Sequence, residues 1–127
     1  MKRLVLAFLA IATPAMAADK LAPPSKVQTM WGDVAVMNAK DEDPCSVTLF
    51  DDKVPGGYRI TQYDGCDKAY PVMAKVKAWR VYTDGQMSFA DSKGKDLIRF
   101  KGKEYHYFAI KKVDGIAKIY SAQEVAE

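Results

Sequence analysis

The chain has one histidine and two cysteines in 127 residues, and that scarcity removes most catalytic chemistry before any pattern is read. A zinc cage needs three or four nitrogen, sulfur or carboxylate ligands, and a Cys/His nucleophile pair needs a free thiol beside an imidazole. The lone His106 lies in the run Glu104-Tyr105-His106-Tyr107-Phe108, where an imidazole reads as a surface or cross-strand partner. Paired carboxylates occur at Asp51-Asp52 and at Asp41 and Asp43, but both sets are expected in turns, where aspartate caps the backbone. Gly56-Gly57 follows Pro55 and fits no phosphate-binding spacing. The expectation is therefore a non-enzyme with no catalytic residue, no cofactor and no metal site of its own.

Long apolar runs and blocks of one charge are missing as well. The run Leu4 to Ala12 has nine residues, under half of the roughly 20 needed to cross a bilayer. It follows Lys2-Arg3 and precedes Ala15-Met16-Ala17, the pattern of a secretory signal cleaved after Ala17. Losing Lys2 and Arg3 would bring 19 basic residues to 17 against 16 acidic ones, so the formal charge falls from +3 to +1. Basic and acidic residues are interspersed through the rest without a phosphate-tracking stripe, which argues against a nucleic-acid partner. The expected organisation is a signal at 1–17, an arm at 18–24 and one domain at 25–127, located in the periplasm without a membrane anchor. In an exported chain Cys45 and Cys66 are expected to form one bridge, with two free thiols as the alternative. Closing the 22-residue segment between them would be worth roughly 3 kcal/mol.

What is present is β-structure. Short runs of β-forming residues recur at the spacing of an antiparallel barrel or sandwich: Trp31–Met37, Cys45–Phe50, Tyr58–Tyr63, Ala78–Tyr82, Gln86–Ala90, Leu97–Lys101, Glu104–Lys111 and Ile116–Ser121. Turn residues separate them, including Pro55-Gly56-Gly57, Gly102-Lys103, and Asp84-Gly85 and Asp114-Gly115, both expected as type I′ turns. Eight strands in series predict an all-β, eight-stranded antiparallel up-and-down barrel, because closure removes exposed edges; a two-sheet sandwich competes. Before them, Pro23-Pro24 makes residues 18–24 an extended, exposed arm. Ser25 offers an N-cap to one helical turn, Lys26–Met30, with Val27 and Met30 facing inward as a plug. A further helical turn fits within residues 68–77. Two tryptophans, seven tyrosines and five phenylalanines are enough to line a ligand cavity, although a barrel this small is normally filled by its own side chains.

The order of landmarks is specific: Trp31, Cys45-Ser46-Val47-Thr48-Leu49, Gly57-Tyr58-Arg59-Ile60, Cys66, Ala78-Trp79-Arg80, Asp84-Gly85-Gln86-Met87-Ser88-Phe89, Phe100 and Tyr107. Over Leu21 to Tyr120 the chain resembles the alkaline-protease inhibitors, periplasmic inhibitors of serralysin-type zinc metalloproteases, and their outer-membrane lipoprotein relatives. The resemblance implies an eight-stranded antiparallel barrel with one disulfide; the expected partner is a secreted or host protease, and the expected state is a monomer. It also implies a trunk that enters the protease cleft, with the Ala18 amine at the target's zinc and Asp19, Lys20, Leu21, Ala22 and Pro23 in contact with the enzyme. Two departures stand out. Family trunks often open on small hydroxyl residues, whereas this one opens Ala18-Asp19, and the lipoprotein relatives carry a cysteine at the cleavage site that this chain lacks. A lipocalin-like carrier and a lysozyme inhibitor are the alternatives.

Overall fold

A computed structural model of the chain describes residues 20–63 and 65–126. The expected signal and the first arm residues, Ala18 and Asp19, lie outside them. Among the described residues eight strands form a closed antiparallel barrel: β1 Gly32–Met37, β2 Cys45–Val54, β3 Gly57–Gln62, β4 Ala78–Val81, β5 Met87–Ala90, β6 Asp96–Lys103, β7 His106–Val113 and β8 Ile116–Ser121. Each strand pairs with the next, and β1 closes on β8 from Val34↔Ser121 to Met37↔Lys118. The up-and-down barrel therefore forms, and the sandwich does not.

Period-two alternation drives the closure. Cys45, Val47 and Leu49 are buried while Ser46 and Thr48 stay half-exposed, as a strand with one wet face requires. Trp79, Phe89, Phe100, Met30 and Leu49 are fully buried, with the Phe89 and Phe100 rings edge-on at 5.0 Å. Protein side chains thus occupy the interior that a lipocalin-like carrier would need for its ligand. A short 3-10 helix, Pro24–Met30, plugs one end with Val27 and Met30 buried. Ser25 is not its cap: the helix begins at Pro24 after Pro23 and has no side-chain cap, because proline brings no amide that needs one. The Trp31 indole donates to the Pro24 carbonyl at 3.0 Å and closes the turn.

Cys45 and Cys66 are bridged, with their Cα atoms 5.0 Å apart. The bond ties the start of β2 to α1, Cys66–Ala69, which is followed by a 3-10 turn at Pro71–Lys75 inside the region expected to be helical. A C-terminal helix α2, Gln123–Ala126, has no counterpart in the sequence reading. Its Gln123 amide donates to the Gln28 and Trp31 carbonyls at 2.8 and 2.7 Å, fastening the chain end to the plug.

Three turn expectations are corrected. Asp114 and Gly115 both have positive φ, as type I′ demands. Asp84 does not, and residues 83–85 form a three-residue loop closed by the Tyr82 amide on the Gln86 carbonyl, with Gly85 alone left-handed at φ 89°. Asp51 and Asp52 lie within β2, not in a turn. The hairpin reverses three residues later at Pro55-Gly56, and Asp52 uses its outward position to accept from Arg59 Nε at 2.9 Å on β3. The Arg59 hydrogen bond holds the Asp52 carboxyl below the ordinary carboxylate range. Gly102 also lies in a strand, and the turn falls at Glu104-Tyr105, where Glu104 takes φ 56°. Glycine is needed at 102 because a Cβ there would stand 2.2 Å from the His106 carbonyl oxygen. It marks a close approach of two backbones and not a reversal.

Candidate functional site

The barrel's weak seam lies between β3 and β4, whose ladder consists of Tyr58↔Trp79 alone. Since β3 begins at Gly57, the edge of β4 beyond Arg80 has no partner from that side. The arm takes the vacant place. Ala22 donates its amide to the Val81 carbonyl and Thr83 donates to the Lys20 carbonyl, both at 2.9 Å, with Leu21 bridged antiparallel to Tyr82. Lys20, Leu21 and Ala22 therefore prolong the sheet. Alternation turns the Leu21 amide and carbonyl the other way, where they make no hydrogen bond among the described residues. The Leu21 side chain is 55% exposed. Ala22 departs from the expectation of an exposed arm: it is buried against the rim just ahead of the plug, which a small side chain permits.

Beside the arm lies an open groove of about 310 Å³ with Leu21, Ala22 and Pro23 on one wall and Lys53, Tyr58 and Arg80 on the other. Gly57 keeps this seam closed at the bottom, since a Cβ there would stand 2.4 Å from the Trp79 carbonyl oxygen. Gly57→Ala is expected to cost about 2 kcal/mol, the usual consequence of forcing two backbones apart. Urea unfolding would check this; an unchanged midpoint would mean that the seam yields freely.

The strand edge that carries the arm is braced from outside. Tyr82 donates its hydroxyl to Asp96 Oδ2 at 2.5 Å and Ser88 donates to Oδ1 at 2.6 Å. The Arg99 guanidinium lies 3.9 Å over the Tyr82 ring, and Arg80 Nη1 donates to the Gly94 carbonyl. Burial, helped by the hydrogen bond and charge of Asp96, pushes the Tyr82 hydroxyl above its ordinary pKa. Burial does the same to Tyr70 and Tyr107. Folded phenols thus hold protons that the unfolded chain releases near pH 10. Their contribution is whole below that pH and is lost as pH rises through the folded values. Thermal midpoints should hold steady up to about pH 9 and fall beyond about pH 10, with phenolate absorbance appearing together with loss of near-ultraviolet dichroism. Phenolate absorbance from these tyrosines in a still-folded protein would contradict their burial.

Of the residues expected to contact a protease, Leu21, Ala22 and Pro23 line this groove, and Lys20 is held beside it by Thr83. Ala18 and Asp19 lie outside the described residues. Lys53, Tyr58, Arg80 and Thr83 join the site unannounced, because their nearness to the arm depends on strand register and not on any local motif. His106 pairs across strands with Tyr120, ring centroids 4.5 Å apart, and faces Glu124 at 3.4 Å. No group of three metal-ligating side chains occurs among the described residues.

A filled, cross-linked barrel that holds a peptide arm along one open strand edge has the build of a small binding protein. The chain belongs to the protease inhibitor Inh family, whose family model matches residues 25–120, from the plug to the end of β8. Comparison with curated proteins and with solved structures returned no match. The matched segment starts just after the arm.

Proposed function

We propose that this inhibitor acts on serralysin-type zinc metalloproteases by placing the chain ahead of Lys20 in their catalytic cleft, from a periplasmic location reached by export and signal removal after Ala17. The observation that carries this reading is the docking of Lys20, Leu21 and Ala22 on the edge of β4, a fixed base from which the residues ahead of them would enter the cleft. An α-amine with a reference pKa near 8 gives up its proton to a cation at modest cost, and a catalytic zinc keeps one position open for such a ligand. Docking shortens the free reach from five residues, roughly 17 Å, to the two residues Ala18 and Asp19, roughly 7 Å. The rim itself, with Leu21, Lys53, Tyr58 and Arg80, then meets the mouth of the cleft. The braced arm gives up little freedom on binding, which favours affinity.

The test compares protein beginning at Ala18 with protein beginning at Lys20, against a panel of metallo-, serine and cysteine proteases. Loss of Ala18-Asp19 should weaken inhibition of a serralysin-type enzyme roughly 100-fold, the effect of removing an anchoring contact of about 3 kcal/mol. Thermal stability should stay the same, because the two hydrogen bonds of the arm remain. Equal inhibition by both proteins would refute the cleft mechanism, and inhibition confined to serine or cysteine proteases would refute the target class.

A further inference from the structure

Read along the chain, lysines and acids look interspersed, yet the barrel gathers the lysines of one segment. Residues 101–112 hold Lys101, Lys103, Lys111 and Lys112 against a single acid, Glu104, and all four lysines are exposed. Register sets Lys101 opposite Phe108, Phe108 opposite Lys118, and Lys103 opposite His106. Phe108 and Ile110, two apart on β7, share its outer face and are 51% and 50% exposed. Among the described residues only Leu21 on the arm and Tyr63 after β3 are large hydrophobics exposed to the same degree. Half of that set therefore sits on one cationic face.

Glu104 and Glu124 line a hollow with Lys103 and Phe108 at one end of this face, and three of the nearby acids already hold partners. Glu124 receives the Tyr120 hydroxyl at 2.5 Å, Asp96 receives Tyr82 and Ser88, and Asp41 pairs with Lys118 at 2.7 Å. A shallow groove between β6 and β7, about 220 Å³ and lined in part by Leu97, Ile110 and Lys111, extends the apolar strip. A free phosphate would satisfy the amines and leave Phe108 and Ile110 in water. Single-stranded nucleic acid would look for a row of open ring faces, whereas here the neighbouring His106 and Tyr120 rings are turned edge-on to each other and Phe108 lies between two lysines. An anionic bilayer takes both features, with the apolar side chains at the acyl boundary and the amines among the headgroups.

We propose that the outer face of β6 and β7, centred on Phe108 and Ile110 within Lys101, Lys103, Lys111 and Lys112, docks on the surface of an anionic phospholipid bilayer. The contact is peripheral and independent of the arm. Protein beginning at Ala18 should sediment with vesicles of equal parts phosphatidylglycerol and phosphatidylcholine, and not with pure phosphatidylcholine. Joint Phe108→Ser and Ile110→Ser replacement should weaken binding about tenfold. Joint Lys101→Gln and Lys103→Gln replacement should weaken it about 30-fold, and added salt should weaken it further. Tyr63→Ser, on another exposed hydrophobic, and removal of Ala18-Asp19 should change nothing, so this test stands or falls apart from the inhibition assay. Equal sedimentation with both vesicles, displacement by inorganic phosphate, or insensitivity to Phe108 and Ile110 would overturn the proposal. So would capture of DNA or of an acidic protein by this face without vesicle binding.

Discussion

Trp79→Ala is expected to remove about 4 kcal/mol of folding free energy, close to the whole margin of a small domain. The indole is fully buried, and its Nε1 donates at once to the Phe50 carbonyl at 2.9 Å and the Arg59 carbonyl at 3.0 Å, so a residue of β4 holds β2 and β3 together. This matters because the β3–β4 ladder is otherwise one residue pair long. Alanine leaves a void where the ring packs near Tyr58, at 5.6 Å between centroids, and strips two carbonyls of their donor. Trp79→Phe restores most of the volume without the N–H and should recover roughly half of the loss. Urea unfolding followed by dichroism measures both. A cost below about 1.5 kcal/mol for alanine would show that the seam is held by something else. Protease inhibition by the variant should fall only with its unfolded fraction, since the arm touches Val81, Tyr82 and Thr83 and not the indole.

Removing the Cys45–Cys66 bridge, by reduction or by paired alanine replacement, is expected to cost about 3 kcal/mol. For a domain of this size that corresponds to a fall in thermal midpoint of roughly 15 °C. The bond spans 21 positions and encloses the whole β2–β3 hairpin, so its loss frees the half of the seam that Trp79 grips from the other side. The two effects should therefore couple: reduction of Trp79→Ala should cost more than the separate losses predict. Scanning calorimetry with and without reductant decides this. An unchanged midpoint after reduction would mean that the unfolded chain gains little freedom from losing the bond.

The barrel was readable in the sequence because its rule is local. Cys45, Val47 and Leu49 against Ser46 and Thr48 declare a strand with one wet face, and Asp114-Gly115 declares its reversal. Expectations failed where two distant segments determine a residue's role. Gly102 looks like a turn residue until His106 is known to lie across from it. Asp51-Asp52 looks like a turn until Arg59 is known to stand beside Asp52. Ser25 lost its capping role to a proline that supplies the same backbone angle without needing an acceptor. The site was half legible for the same reason. The arm's prolines mark it as extended, whereas its place on β4 follows from β3 being too short, and that is a property of register. The lysine face was invisible because Lys101 and Lys112 become neighbours of one patch only after β6 and β7 pair.

The ring of strands closes between its first and last members, Val34 to Met37 meeting Lys118 to Ser121, and Gln123 then fastens the plug. A ribosome delivers the amino end first, so β1 must wait for nearly the entire chain before its second neighbour exists. Until then β1 has one free side and the plug lacks its clasp, and native closure is out of reach. Synthesis order alone thus delays closure of the ring until β8 and Gln123 have been made.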